Sequence, residues 1–223
     1  MTFFDPNNFA RLVDPSLHDL PGGVFYSSPA AFGSPSKVYL LGLNPGGSAD
    51  ANAEATIGKS LASWRQRESG WCEYTSESWE GAPPGEYGIQ RPVRALFNRL
   101  GLNVGDVPAS NVVFVRSSVE AKLDRKAELL EQCWPVHEAV IRDLGVTTVL
   151  CLGQTAGRWV RSKVGAHQAH GEFKEKYDRR HYRSEAHVSP DGIAVLTLAH
   201  PCRSNWCDER ADPSPLVQQV LDR

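Results

Sequence analysis

The sequence predicts an α/β protein, a three-layer α/β/α sandwich whose central sheet has four parallel strands covered on both faces. Three observations carry that expectation. Four short apolar runs, at 38–43, 111–115, 147–152 and 193–198, each have the length and composition of a buried strand. Segments with helical spacing lie between them, the alternation expected of parallel βαβ units. With 223 residues, 41% of them hydrophobic and six of them tryptophan, the chain can bury a sizeable core and is not a disordered sequence. We therefore expect one domain spanning 1–223, with loop insertions.

Along the chain, residues 1–36 hold Pro6, Pro15, Pro21, Pro29 and Pro35 with Gly22 and Gly23, and read as an irregular arm with one short helix near Asn8 to Val13. Val38 to Leu43 is the first strand and is closed by Asn44-Pro45-Gly46-Gly47. Residues 48–86 are polar, punctuated by Gly and Pro and rich in tryptophan (Trp64, Trp71, Trp79), so they read as an insertion over the sheet with a helix around Thr56 to Arg67. Val93, Leu96, Phe97 and Leu100 recur at helical spacing from Pro92 until Gly101 ends the pattern. Asn111 to Val115 is the second strand. A helix follows from Lys126 to Leu144, with Pro135 marking a kink or a fresh start. Thr147 to Leu152 is the third strand, Gly153 leads straight into a helix through Val160, and Ile193 to Leu198 is the fourth strand, ending just before His200. No internal repeat is visible.

Composition removes several classes of function. The formal charge is -2, from 24 basic and 26 acidic side chains, so nothing global demands a polyanionic partner. Charge is nonetheless uneven: residues 158–183 carry eight Lys or Arg against three acids, a stretch more typical of a solvated face than of a phosphate track. The five cysteines (72, 133, 151, 202, 207) are odd in number and contain no CxxC pair, which points to reduced thiols. No apolar run reaches the ~18 residues of a membrane span, and residues 1–20 lack the basic and apolar regions of a secretion signal. A soluble cytoplasmic protein is expected, with no membrane contact.

Chemistry-bearing motifs are few. Ala53 to Ser60 matches a loosened phosphate-loop pattern, but no strand feeds it directly and no later strand ends in an acidic magnesium ligand. His167 and His170 lack the partners of a closed zinc site, and no GxSxG elbow occurs to support a serine nucleophile. What remains is a pair of strand ends. Leu41-Gly42-Leu43-Asn44-Pro45-Gly46 and Ala199-His200-Pro201-Cys202-Arg203-Ser204-Asn205 both run from an apolar strand into a tight polar loop, and ligands of open α/β sheets gather at that carboxyl edge. An asparagine there can hold a water through its carbonyl, and a histidine can donate to an oxygen that gains charge.

These segments resemble the uracil-DNA glycosylase superfamily, nearest to its mismatch-specific and single-strand-selective branches. Gly42-Leu-Asn44-Pro-Gly46 is similar to the first motif, His200-Pro-Cys-Arg-Ser-Asn205 to the second, and Asn111-Val-Val-Phe-Val-Arg116 and Val146 to Ala156 to the segments between them, so the likeness covers roughly residues 37–206. The resemblance implies a uracil-DNA glycosylase-like fold and a monofunctional DNA glycosylase of base excision repair, acting as a monomer on uracil in DNA. It implies Asn44 as the residue that orients the attacking water and His200 as the donor to the base carbonyl. Gly42, Leu43 and Gly46 would line the base pocket and Asn111 would read the uracil edge. Tyr87 is the favoured stacking aromatic, with Ile57 near another expected spacing. Pro201, Cys202, Arg203, Ser204 and Asn205 would contact DNA. The cysteines that hold an iron-sulfur cluster in one branch are not matched beyond Cys133, Val115 standing at one such position, so no metal or other cofactor is expected. Two alternatives stand beside this: excision of another base such as hypoxanthine, xanthine or a modified phage base, and a non-catalytic reader of altered DNA.

Overall fold

A computed structural model describes residues 4–177 and 181–223. Its centre is one mainly parallel sheet of six strands rather than the four expected, in the order β2-β1-β3-β6-β5-β4. The strands are β1 (Val38–Gly42), β2 (Ala109–Asn111), β3 (Thr148–Leu152), β4 (Gln168–Lys174), β5 (Arg183–Val188) and β6 (Ala194–Leu198). β2, β1, β3 and β6 are parallel, and β5 and β4 extend the β6 side as an antiparallel pair.

Burial explains which strands were legible. β1, β3 and β6 are buried at every residue, as expected of strands covered on both faces. β4 is exposed or half-buried throughout and its sequence, Gln-Ala-His-Gly-Glu-Phe-Lys, has no apolar run to betray it. The basic stretch that read as a solvated face includes this exposed edge strand, where Glu172 pairs with Lys174 along β4 at 3.1 Å and with Arg183 of β5 at 3.4 Å. Arg179 and Arg180 of that stretch lie outside the described residues. The second strand is also displaced. It ends at Asn111 instead of starting there, and Val112 to Phe114 continue as buried irregular chain, with Val112 and Val113 N–H donating to Gly42 and Leu43 carbonyls.

The helices are α1 (Asn7–Arg11), α2 (Ile57–Trp64), α3 (Gln90–Arg99), α4 (Lys126–Asp143), α5 (Gln154–Val164) and α6 (Ser214–Leu221). α2 begins where Thr56 accepts from the Lys59 N–H. Pro135 starts no new helix: α4 runs through it, with the ring on the exposed side. The strand periodicity of two sends alternate side chains to opposite layers. Tyr39, Leu41, Val149, Cys151 and Val195 join the core shared with α1, α2, α4 and α5, whereas Leu40, Leu150, Leu152, Leu196 and Leu198 join the one shared with α3 and α6.

The N-terminal arm is no loose extension. Phe9, Phe25 and Phe32 from the arm meet Tyr39 of β1 and Trp64 of α2, with Phe25 4.7 Å from Phe32 and 4.4 Å from Trp64 between ring centroids. The Trp64 indole N–H donates to the Ser27 carbonyl at 2.7 Å, so the insertion is tied to the arm and both to the sheet. No helix among the described residues is long and apolar enough to cross a membrane.

Phe32 is fully buried amid these rings. Phe32→Ala should therefore lower unfolding free energy by about 3–5 kcal/mol in urea titrations; a change under about 1 kcal/mol would mean the arm packs independently of the core.

Candidate active site

Because β2, β1, β3 and β6 run parallel, their carboxyl ends share one edge of the sheet, and the two motif loops leave from it. Gly42, at the end of β1, is in register with Asn111, at the end of β2. The pairing is close: a Cβ on Gly42 would sit 2.1 Å from Asn111 Oδ1, so glycine is required for the amide to lie there. Asn111 is 4% exposed, and its Nδ2 is buried without a hydrogen-bond partner. A buried amide donor left unpaired costs about 1–3 kcal/mol, so this hydrogen-bonding capacity is open to a partner.

Asn44 follows two residues after β1. Its Nδ2 donates to the Pro45 carbonyl at 2.9 Å and, more weakly, to the Ser117 carbonyl at 3.3 Å and Ser117 Oγ at 3.4 Å. Since both amide hydrogens are directed at these oxygens, Oδ1 is the end left to accept. Ser117 is held in turn, its N–H donating to Pro45 and its hydroxyl to Val119. Arg116 beside it donates to the Gly46 carbonyl. Leu43 is half-buried and Gly46 exposed at the loop's rim.

His200 stands beyond β6, against the turn that leaves β3. A Cβ on Gly153 would lie 3.2 Å from His200 Cδ2, and Gly153 adopts φ +102°, a conformation side chains rarely take. The Cys202 N–H donates to His200 Nδ1 at 3.2 Å, and Cys202 Sγ lies 2.9 Å from the same atom. Nδ1 is then the bare nitrogen and Nε2 carries the hydrogen of the neutral ring. Burial and, secondarily, the Arg203 cation hold this imidazole's pKa below its usual value, favouring that neutral donor. Trp206, fully buried, anchors the loop by donating to the Ala199 carbonyl at 3.1 Å.

The loop's remaining residues divide by direction. Cys202, Arg203 and Asn205 are exposed, and with Arg91, Glu175 and Tyr177 they border a cleft of about 370 Å³. Pro201 is buried, and Ser204, 2% exposed, turns its hydroxyl inward to donate to Glu175. Ser204 is thus a brace for the loop, and it and Pro201, although buried, also contribute to the lining of the cleft. Tyr87 is 46% exposed just before α3, and Ile57 is fully buried in the core.

Tyr26, from the arm, is a partly buried aromatic influenced by Asn111. Burial raises its phenol pKa well above the usual range and the nearby Glu73 carboxylate adds to this, while Arg116 and the approach of the Asn111 amide act the other way. Neither Tyr26 nor Glu73 carries a sequence signal. Beneath them His137 of α4 is fully buried 2.8 Å from Tyr39 Oη, and burial pushes its imidazole down to about 3. The phosphate-loop pattern dissolves here, since Ile57 and Gly58 N–H donate to Leu20 and His18 carbonyls. His167 and His170 are exposed, and among the described residues no three His, Cys, Asp or Glu side chains group as metal ligands would.

Gly42→Ala should leave the protein folded but drive the Asn111 amide from its place, detected as loss of ligand or substrate response with a small change in Tm; unchanged response would mean that Asn111 moves freely. Glu73 supplies a pH test. Burial raises its carboxyl from 4.5 to about 7, with Glu77 adding to this and the Trp79 N–H, Arg67 and Arg116 opposing it. The folded state therefore holds a proton that the unfolded chain has lost between those values, and stability should fall as pH rises from about 4.5 to 7. In melts from pH 5 to 8, Glu73→Gln should flatten that decline and gain most at pH 8; parallel curves would reject the assignment.

No model of a known protein family matches the chain and no curated protein matches it, so the polarity of these side chains is what speaks to function.

Proposed function

We propose that this chain is a monofunctional DNA glycosylase that hydrolyses the N-glycosidic bond of uracil in DNA, with a uracil-DNA glycosylase-like fold built on the parallel strands β2-β1-β3-β6. The observation that carries the reading is the fixed polarity of three strand-end groups. Asn44 offers an acceptor, His200 a neutral N–H donor and Asn111 an unpartnered buried donor. Those are the polarities that hydrolysis of a base with an anionic leaving group requires.

The target base must leave the stack, because the glycosidic carbon is inaccessible within a duplex. Asn111 then reads the N3–H and O4 edge, which cytosine presents with donor and acceptor exchanged. As the C1′–N1 bond lengthens, negative charge gathers on uracil O2. The His200 Nε2–H stabilises it, and the imidazole held neutral by burial has its proton available as a donor without carrying a charge. Asn44 Oδ1 accepts from a water and aims its oxygen at the sugar carbon. An amide cannot accept the water's proton as a carboxylate can, so its contribution is orientation, and the proton leaves to solvent. Arg203 and Asn205, exposed at the loop tip, are the groups available to meet the DNA.

The test is base release from single- and double-stranded oligonucleotides carrying one uracil, read as strand breaks after alkali. The parent should generate abasic sites, and Asn44→Ala and His200→Ala should each lower the single-turnover rate by about 10²–10³. Release of no uracil by the parent sinks the proposal.

A further inference from the structure

We propose that Arg116 is a substrate-binding residue that holds a phosphodiester of the extruded nucleotide, at an anion site shared with the main chain of Gly47 and Ser48. The identity of the anion rests on the reading of the chain as a DNA glycosylase.

Arg116 lies five residues beyond Asn111 and reaches back to the loop that carries Asn44. Its main-chain N–H donates to the Pro21 carbonyl at 2.8 Å, which ties its backbone to the arm. Its Nη1 donates to the Gly46 carbonyl. A Cβ on Gly47 would lie 3.3 Å from the same nitrogen, and Gly47 takes φ +92°, so the guanidinium rests against bare backbone. The planar head is thus fixed at the rim of the loop with most of its donors unspent. Nε is buried without a partner, and Nη2, which is not buried, has none among the described residues either.

The charge is unmet as well. Arg67, Arg94, Arg99 and Arg210 each rest on an acid at 2.7 to 3.3 Å. No carboxylate among the described residues comes within ion-pairing distance of Arg116. Glu73 feels its field but turns Oε2 to the Trp79 N–H at 3.1 Å. A fixed cation with no acid and a rigid fork of free donors is matched by a phosphate, whose oxygens accept where the fork offers hydrogens.

The loop supplies the rest. The N–H groups of Gly47 and Ser48 have no acceptor among the described residues, and a Cβ on Gly46 would meet nothing within 4 Å, so the approach is open. Main-chain N–H groups beside a guanidinium make a concavity of donors only, which suits an anion. The place is also right. Gly46 is two residues from Asn44, at most about 7 Å along the chain. A nucleotide whose sugar carbon faces Asn44 carries its phosphates only a few bonds from that carbon, which brings one of them to this rim.

The probe is a fluorescein-labelled single-stranded oligonucleotide with one tetrahydrofuran abasic analogue, titrated with the protein between about 50 and 200 mM KCl and read by anisotropy. Arg116→Gln should weaken binding about tenfold and make the slope of log affinity against log salt shallower by about 0.7, the share of one phosphate on a single strand. Arg116→Lys, which keeps the charge but not the fork, should keep the parent's slope. A bare clamp on Gly46 would instead lower Tm or the release rate and leave the slope alone. Equal slopes for the parent and Arg116→Gln, or a parent that does not bind the probe, overturn the inference. Uracil release is scored separately: a parent that shows the expected slope change but frees no uracil loses the functional reading and keeps the phosphate site.

Discussion

The Asn111 amide lies over Gly42 where any side chain would collide with it, and the polar edge of this sheet depends on that contact. It is possible only because β1 and β2 are parallel and in register at their last residues. From the same junction the chain departs on both sides: Val112 and Val113 donate back to Gly42 and Leu43, and Ser117 donates to Pro45. Two loops that leave neighbouring strands are thereby sewn together, and Asn44, whose amide hydrogens point at Pro45 and Ser117, inherits its orientation from that stitching. The amide of one strand end is placed by a glycine, and the amide of the other by main-chain carbonyls.

A similar device operates at the opposite end of the edge. Gly153 takes a backbone conformation and a closeness that His200 needs, and the main-chain N–H of Cys202 selects which ring nitrogen keeps its hydrogen. Backbone groups are the less mobile partners for such work, because their positions are set by the sheet and not by rotamers. Trp206 and Ser204 secure the loop from below, through Ala199 and Glu175. Cys202, Arg203 and Asn205 are the parts of the loop that reach solvent.

The parallel core was legible because strands buried on both faces must be apolar throughout, as Val38 to Leu41 and Val149 to Leu152 are. β4 and β5 were not, since an edge hairpin facing solvent needs no such run, and its charges, Glu172 with Lys174 and Arg183, look like those of any polar loop. Asn44 and His200 could be singled out from their places at strand ends. Ser204 could not be assigned its inward direction, nor Pro201 its burial, because a loop's facing is set by what it rests on, here Glu175 and the Trp206 anchor. Tyr26 was hidden for a related reason. Prolines and glycines made the arm read as irregular, which much of it is, yet irregular chain can be as fixed as a helix when its main chain pairs with Ala109 and Glu73.

That hidden contribution changes how the charge balance should be understood. Many of the chain's cations are already met by acids: Lys59 by Glu54, Arg67 by Glu77, Arg94 by Glu86, Lys163 by Glu131, Arg210 by Asp208. Exposed pairs of this kind add little stability, but they cancel the long-range field that a polyanion would feel. A net charge of -2 therefore leaves selection to short-range groups of fixed polarity. The edge of the sheet holds such groups, and the cost of keeping the Asn111 donor unpaired is borne by the surrounding fold, with a glycine where a side chain would have closed the space.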